Sequence, residues 1–347
     1  MSDILIRKTG RAGHITLTRA AALNALTYDM GMAIDAALAG WADDDAVALV
    51  IIDAEGDKAF CAGGDIREMY DTGTAGDYSY GRTFWRDEYR MNARLAEYPK
   101  PVVTFLQGFV MGGGVGVGCH ASHRIVCDST QIAMPEVSIG LVPDVGGSLL
   151  LAQAPGRLGD YLALTAARMG ASDAIHAGFA DHYVPAAGWE ALKATLIATG
   201  KPDAIRSAAR KPEPGRLSGE SALIDALFAT RDLASITAAL EEDVSDEFAA
   251  AALKAIQRNA PLSMACALEM LTRLHGQHSL REALALEYRF THRAMEHGDF
   301  LEGIRAQIID RDRKPKWRHG LKNVPDQIVT DMLAPLGEAE LTFDSAP

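Results

Sequence analysis

Between Val102 and Gly118 an apolar, β-branched run, Val102–Leu106, passes Gly108 and enters Met111-Gly112-Gly113-Gly114-Val115-Gly116-Val117-Gly118. A continuous run of this kind predicts a buried strand. Glycines this dense, with a helix expected to start among them, expose backbone N–H groups that no side chain shields. Downstream come Met134-Pro135-Glu136 and Gly140-Leu141-Val142-Pro143-Asp144-Val145-Gly146-Gly147. Bared amides close in sequence to two carboxylates on apolar segments suit a site that polarises a carbonyl and moves protons or acyl groups.

The surrounding pattern alternates. Ile4–Ile6 and His14–Thr18 predict two short strands about the turn Thr9-Gly10-Arg11-Ala12-Gly13. Met30, Ile34, Leu38 and Trp41 recur at helical spacing, so a helix is expected over Tyr28–Trp41. Val47–Ile52 is another buried-strand run, ending at Asp53. Ile125–Cys127 and Gln131–Met134 predict short strands, the second stopped by Pro135, and Arg157–Arg168 is helical in pattern. Strand pairs alternating with helices predict an α/β fold. From Gly188 to about Gly303 the chain turns alanine-rich and helix-like, broken only by Lys211-Pro212-Glu213-Pro214-Gly215. Leu223, Leu227, Leu233, Ile236 and Leu240 fit amphipathic helices there. The expected division is a core over residues 1–186 that carries the site and a mainly helical region over residues 187–347.

Charge and cysteines narrow the partners. A formal charge of −12 over 347 residues argues against a nucleic-acid surface. No apolar run reaches spanning length, so no membrane partner is expected. Cys61, Cys119, Cys127 and Cys266 form no CxxC pair, which fits a reducing compartment without disulfides or a zinc ribbon. The segment Met1–Arg7 shows neither a signal-peptide core nor an Arg-rich presequence, and a cytoplasmic protein is expected.

Two glycine turns are the candidate donors. Lys58-Ala59-Phe60-Cys61-Ala62-Gly63-Gly64-Asp65-Ile66 follows the Val47–Ile52 run, and Gly112-Gly113-Gly114 follows Val102–Leu106. Two converging N–H groups form an oxyanion hole, in which one donor supplies about 3 kcal/mol of transition-state stabilisation. The competing reading is that the glycines only permit tight helix–strand packing. Glu136 and Asp144 fit a loop that folds both acids over one pocket, where their pKa values would part into an acid and a base or nucleophile. Alternatively, Asp144 caps a helix beginning near Gly147. Gly116-Val117-Gly118-Cys119-His120-Ala121 matches GxGxxA loosely, but the strand before it is too distant for a dinucleotide site. His120 and His123 form HxxH without a partner acid motif, and no metal site is expected. Arg311–Lys316 reads as a solvated basic face that could meet a phosphate.

Phe60-Cys61-Ala62-Gly63-Gly64-Asp65 and Gly112-Gly113-Gly114, with Asn24-Ala25-Leu26 upstream, resemble the crotonase (enoyl-CoA hydratase/isomerase) superfamily. The resemblance implies a spiral of ββα units with a C-terminal helical region, and an acyl-CoA substrate whose thioester oxygen is held by the Gly64 and Gly113 amides. Within the superfamily, a hydratase carries a glutamate two residues after its glycine turn and Pro-Gly in the later motif. This chain has Gly116 and Pro143-Asp144 instead. Ala133-Met134-Pro135-Glu136, Gly140–Gly147, Arg86-Asp87-Glu88-Tyr89, Glu287-Tyr288-Arg289 and Asp299–Ala306 are similar to the 3-hydroxyisobutyryl-CoA hydrolases. That likeness implies Glu136 and Asp144 as the catalytic pair and Glu88 as a substrate-contacting acid, with Ala62, Gly63 and Asp65 also at the substrate.

The resemblance therefore implies a thioester hydrolase of valine breakdown with no metal or redox cofactor, coenzyme A entering as part of the substrate. Superfamily relatives form trimers or pairs of trimers, so a homo-oligomer is expected. The rival activities are an enoyl-CoA hydratase or Δ3,Δ2-isomerase, and, in another class, a non-catalytic binding subunit.

Overall fold

The computed structural model of the protein describes residues 3–343. Its strands are β1 (Ile4–Thr9), β2 (Ala12–Leu17), β3 (Leu49–Ala54), β4 (Ala59–Cys61), β5 (Val102–Leu106), β6 (Phe109–Met111), β7 (His123–Val126), β8 (Gln131–Ala133) and β9 (His182–Tyr183). They build a six-stranded sheet in the order β1-β2-β3-β5-β7-β9 and a three-stranded sheet in the order β4-β6-β8. Among these strand pairs of the described residues, only β1–β2 is antiparallel. Each of the pairs β3/β4, β5/β6 and β7/β8 gives one strand to each sheet, so successive units wind along both sheets together. This is the α/β spiral of ββα units that the resemblance implied.

Side-chain pattern explains the larger sheet. β3 and β5 are buried along nearly their whole length, as parallel strands covered on both faces must be. Leu49, Ile51, Val103, Phe105, Ile125 and Cys127 pack with Trp189, Leu192 and Leu196 from the helix Trp189–Thr199. Asp53, near the end of β3, is buried yet held at about 2: burial opposes its charge, but His14, Thr16 and Lys193 bond to it.

Several boundaries differ from the pattern-based ones. β2 starts at Ala12, since the antiparallel ladder continues to the pair Thr9↔Ala12 and leaves only Gly10-Arg11 to turn. β3 runs Leu49–Ala54 because its register on β2 extends to Leu17↔Ala54. The helix expected over Arg157–Arg168 is Leu158–Thr165, closed by Ala166 at φ +55°. β4 and β6 are too short for a periodicity to show.

The chain forms two compact units that interleave along the sequence. One comprises Met1–Asp65, Arg90–Ala133 and Arg168–Ser218; the other comprises Ile66–Tyr89, Met134–Ala167 and Gly219–Pro347. The expected single division near Ala186 follows composition, and no strand lies beyond Tyr183 among the described residues. Compactness follows packing instead, and the chain leaves and re-enters each unit.

The first unit holds both sheets. The second is helical and centres on Pro261–Leu274, whose Met264, Ala267, Leu268 and Leu271 are buried. This helix packs on Gly147–Ala152 and Leu158–Thr165. Helices of this unit start at legible caps: Asp232 accepts from the Ser235 N–H, Asp246 from Phe248 and Ala249, and Ser279 from Glu282.

Candidate active site

In the first unit the two glycine turns lie side by side, because they leave the ends of the paired parallel strands β4 and β6. The second turn opens a short buried helix, Gly113–Gly118, with Gly112 at φ +49°. A Cβ on Gly114 would stand 2.2 Å from the Cys61 carbonyl oxygen, so only glycine allows this approach. The packing reading of the glycines is therefore correct for Gly114, and its consequence is that the two turns are pressed together.

The first turn is braced from β2's loop. Leu26 donates to the Gly63 carbonyl and accepts from the Asp65 N–H, which passes over the Gly64 N–H between them. Asn24, buried and left-handed at φ +54°, donates to the carbonyls of Glu55 and Ala59. The N–H groups of Gly64 and Gly113 have no acceptor among the described residues. Gly113 is buried and Gly64 half-buried, and a buried donor is rarely left so without cause. The remaining turn positions do structural work: the Ala62 N–H donates to Leu23, Gly63 supplies φ +119°, and Asp65 binds Arg19 at 2.8 Å.

In the second unit the structure gathers Glu88, Glu136 and Asp144, and adds two groups that the motifs did not single out as functional, Tyr89 and Glu287. Glu136 opens the 3-10 turn Glu136–Ile139. Glycines clamp this turn: Gly303 lets the helix Phe300–Ile304 lie on the Ile139 carbonyl, and Gly140 fits against Asp299. Ala260 also donates to the Val137 carbonyl at 2.8 Å.

Asp144 does not cap the following helix. The helix Gly147–Ala152 has Gly146 at its N-cap and no side-chain cap from its own neighbourhood. Asp144 instead accepts a 2.7 Å hydrogen bond from the Tyr89 hydroxyl. The helix end is capped from afar by Glu287, which accepts from the Gly146 and Ser148 N–H groups at 2.8 and 3.2 Å and from the Ser148 hydroxyl. Between them Val145 is held at φ +51°, a conformation costly for a β-branched residue.

Burial dominates the electrostatics. It pushes Asp144 up to about 7 against the Tyr89 bond, which pulls it down. It pushes Glu287 up to about 8, opposed by the Ser148 bond and raised further by Asp144. Glu136 and Glu88 rise well above the usual range through burial and then Asp144. One oxygen on each, Glu88 Oε1 and Glu136 Oε2, has no partner among the described residues. Carboxyl groups gathered in this way can share protons but cannot all be ionised.

A sequence signal for Glu287 existed. Ala283, Glu287, Phe290, Thr291 and Ala294 lie on the buried face of the helix Leu280–His297, so an acid stands on an apolar stripe. His123 stacks on His182 at 6.5 Å, and among the described residues no group of three or more His, Cys, Asp or Glu side chains is arranged for a metal ion.

The enzyme family is decided by a family model described as enoyl-CoA hydratase/isomerase, which matches residues 12–333. The chain belongs to that family. Among family members it is 37% identical to the mitochondrial 3-hydroxyisobutyryl-CoA hydrolase of Gallus gallus, over 98% of this chain and 91% of that protein. It is 35% identical to the Homo sapiens protein of the same name, with 98% and 91% covered. Solved family structures include an enoyl-CoA hydratase from Rhodobacter sphaeroides, at TM-score 0.94 and 57% identity over 99% of this chain and all of that one. Another is a carnitinyl-CoA dehydratase from Mycobacterium thermoresistibile, at TM-score 0.94 and 40% identity, with both chains covered completely.

The expected cytoplasmic location is corrected by these relatives, whose names place them in mitochondria. A compartment address is read from a segment independent of the fold, so the folded residues carry no trace of it. Met1 and Ser2, the first residues of the segment read for a leader, lie outside the described residues.

Proposed function

We propose that the chain hydrolyses 3-hydroxyisobutyryl-CoA to 3-hydroxyisobutyrate and coenzyme A, a step of valine breakdown. The observation that carries this reading is Asp144, a buried acid bonded to Tyr89 and electrostatically tied to Glu136, in a motif where a hydratase has glycine. Gly116 stands where a hydratase needs its other glutamate. The vertebrate relatives named as hydrolases support the same reading across nearly the full chain.

The Gly64 and Gly113 amides hold the thioester oxygen and stabilise the tetrahedral oxyanion, in line with their lack of internal acceptors. Asp144 takes the proton of Glu136 as a Glu136 oxygen attacks the carbonyl carbon. The C–S bond breaks, and the departing thiolate receives that proton from Asp144. Water, deprotonated by Asp144, then attacks the acyl carbon of the mixed anhydride; its C–O bond to Glu136 breaks, and the departing Glu136 carboxylate recovers the proton from Asp144. Direct attack by water, with Glu136 as the base once Asp144 has taken its proton, uses the same groups. Glu88 contacts the short hydroxylated acyl chain. No metal or redox cofactor takes part, and coenzyme A enters with the substrate.

A hydratase reading draws on the names of the solved relatives. Incubation with 3-hydroxyisobutyryl-CoA and with crotonyl-CoA separates the two: thiol release from the first is expected. Rapid hydration of the second without thiol release would overturn the hydrolase reading.

A further inference from the structure

We infer that Tyr89 is the positioning residue that reserves Asp144 as the proton acceptor of this site, through the 2.7 Å bond from its buried hydroxyl to Asp144 Oδ2. The inference rests on the hydrolase reading for its catalytic meaning, though not for its geometry.

The argument is one of donors. Four buried carboxyl groups act on one another here: Glu88 from the helix Ser79–Ala96, Glu136 from its 3-10 turn, Asp144, and Glu287 from Leu280–His297. Among the described residues, no lysine, arginine or histidine is among the leading influences on them. The helix Pro261–Leu274 brings in buried form the Ser263 hydroxyl and the Cys266 thiol, which burial keeps protonated, and its Glu269–Arg273 pair is exposed. Which carboxyl group keeps a charge is therefore set by hydrogen bonds. Glu287 has three donors, all spent on the helix end. Glu88 and Glu136 each keep an oxygen without a donor. Asp144 alone has a side-chain donor while belonging to the proposed catalytic pair.

Tyr89 is built for this one task. Its ring is fully buried and lies edge-on to Tyr288 at 6.3 Å, so a phenylalanine would fill the same space. The Thr291 hydroxyl, which donates to the Tyr288 carbonyl at 3.3 Å, acts on the same phenol. Burial and the nearby carboxylates push the phenol well above its ordinary range, so it donates a hydrogen bond without surrendering its proton. It orients and biases Asp144 and takes no part in the proton transfers.

The test is Tyr89→Phe with Thr291→Val as a second, near-isosteric variant that removes the hydroxyl acting on the phenol. Infrared difference spectra follow the protonated carboxyl band that Asp144→Asn abolishes, in unliganded protein across pH. In the wild type its midpoint should lie at about 7. In Tyr89→Phe it should move up by about one unit, and less in Thr291→Val. Thiol release should follow, with kcat/KM reduced about tenfold on the acid side and recovering at high pH. An unmoved midpoint in both variants, or a loss of rate equal at every pH, overturns the inference. Absence of thiol release from the wild type would overturn the hydrolase reading alone, since the infrared midpoint still decides the role of Tyr89.

Discussion

Glu287 caps the helix that follows Asp144 from 141 positions away, accepting the Gly146 N–H at 2.8 Å. A local aspartate could have done this, and Asp144 was the residue in place for it. Delegating the cap to a distant helix leaves Asp144 free to turn towards Tyr89. Glu287→Ala would strand the Gly146 and Ser148 donors in a buried site, and should cost about 3 kcal/mol or more. Glu287→Gln keeps an acceptor and should cost clearly less. Urea unfolding of both variants checks this, and equal midpoints for all three proteins would show the cap to be dispensable.

Glu136→Gln should reduce kcat by about a hundredfold or more, roughly 2.7 kcal/mol. Its stability should hold, because burial already keeps Glu136 protonated and glutamine replaces a neutral group of similar volume. Thiol release and thermal melting on one preparation suffice. A variant retaining a tenth of the wild-type kcat would remove Glu136 from the chemistry.

Asp144→Asn separates a cap from a catalytic acid, since asparagine caps about as well as aspartate. With no cap bond to lose, thioester hydrolysis should fall far more than stability. The pH dependence of stability has a definite sign. Asp144 rises from 3.8 to about 7 on folding, so the folded state holds a proton that the unfolded chain releases. The stability this proton gives is complete below the unfolded value and is lost as pH rises towards the folded one. Melting temperature should therefore decline more steeply between about pH 5 and about pH 7 in the wild type than in Asp144→Asn. Parallel curves would contradict the assignment.

Gly114→Ala tests whether the two glycine turns must touch. Its Cβ would meet the Cys61 carbonyl oxygen at 2.2 Å, and both partners are backbone. A loss of about 3 kcal/mol, with most of the activity, is expected. Gly31→Ala is the matched control, in a helix interior with nothing within 4 Å of the added carbon. It should be neutral or stabilising by up to about 1 kcal/mol. Similar melting temperatures for the two variants would show that the turns are not held in contact.

The α/β class, the helix Tyr28–Trp41, the strand Val102–Leu106 and the helical character beyond residue 187 are legible one residue after another, because local periodicity and buried-strand composition encode them directly. The sequence also marked both glycine turns and the acids Glu136 and Asp144, since glycine density and Pro-acid pairs are visible in one dimension. What those residues touch comes from contacts distant in sequence. The three-residue strands β4 and β6 gain their identity from the partner they bond, not from a pattern. Asp65, which belongs to the first turn's motif, is committed to Arg19 across 46 positions. Tyr89 and Glu287 acquire their roles by meeting Asp144 and Gly146 from other helices, at separations of 55 and 141 residues. The proton distribution among buried acids depends on how many donors reach each oxygen and on how completely water is excluded, and both are properties of packing in three dimensions.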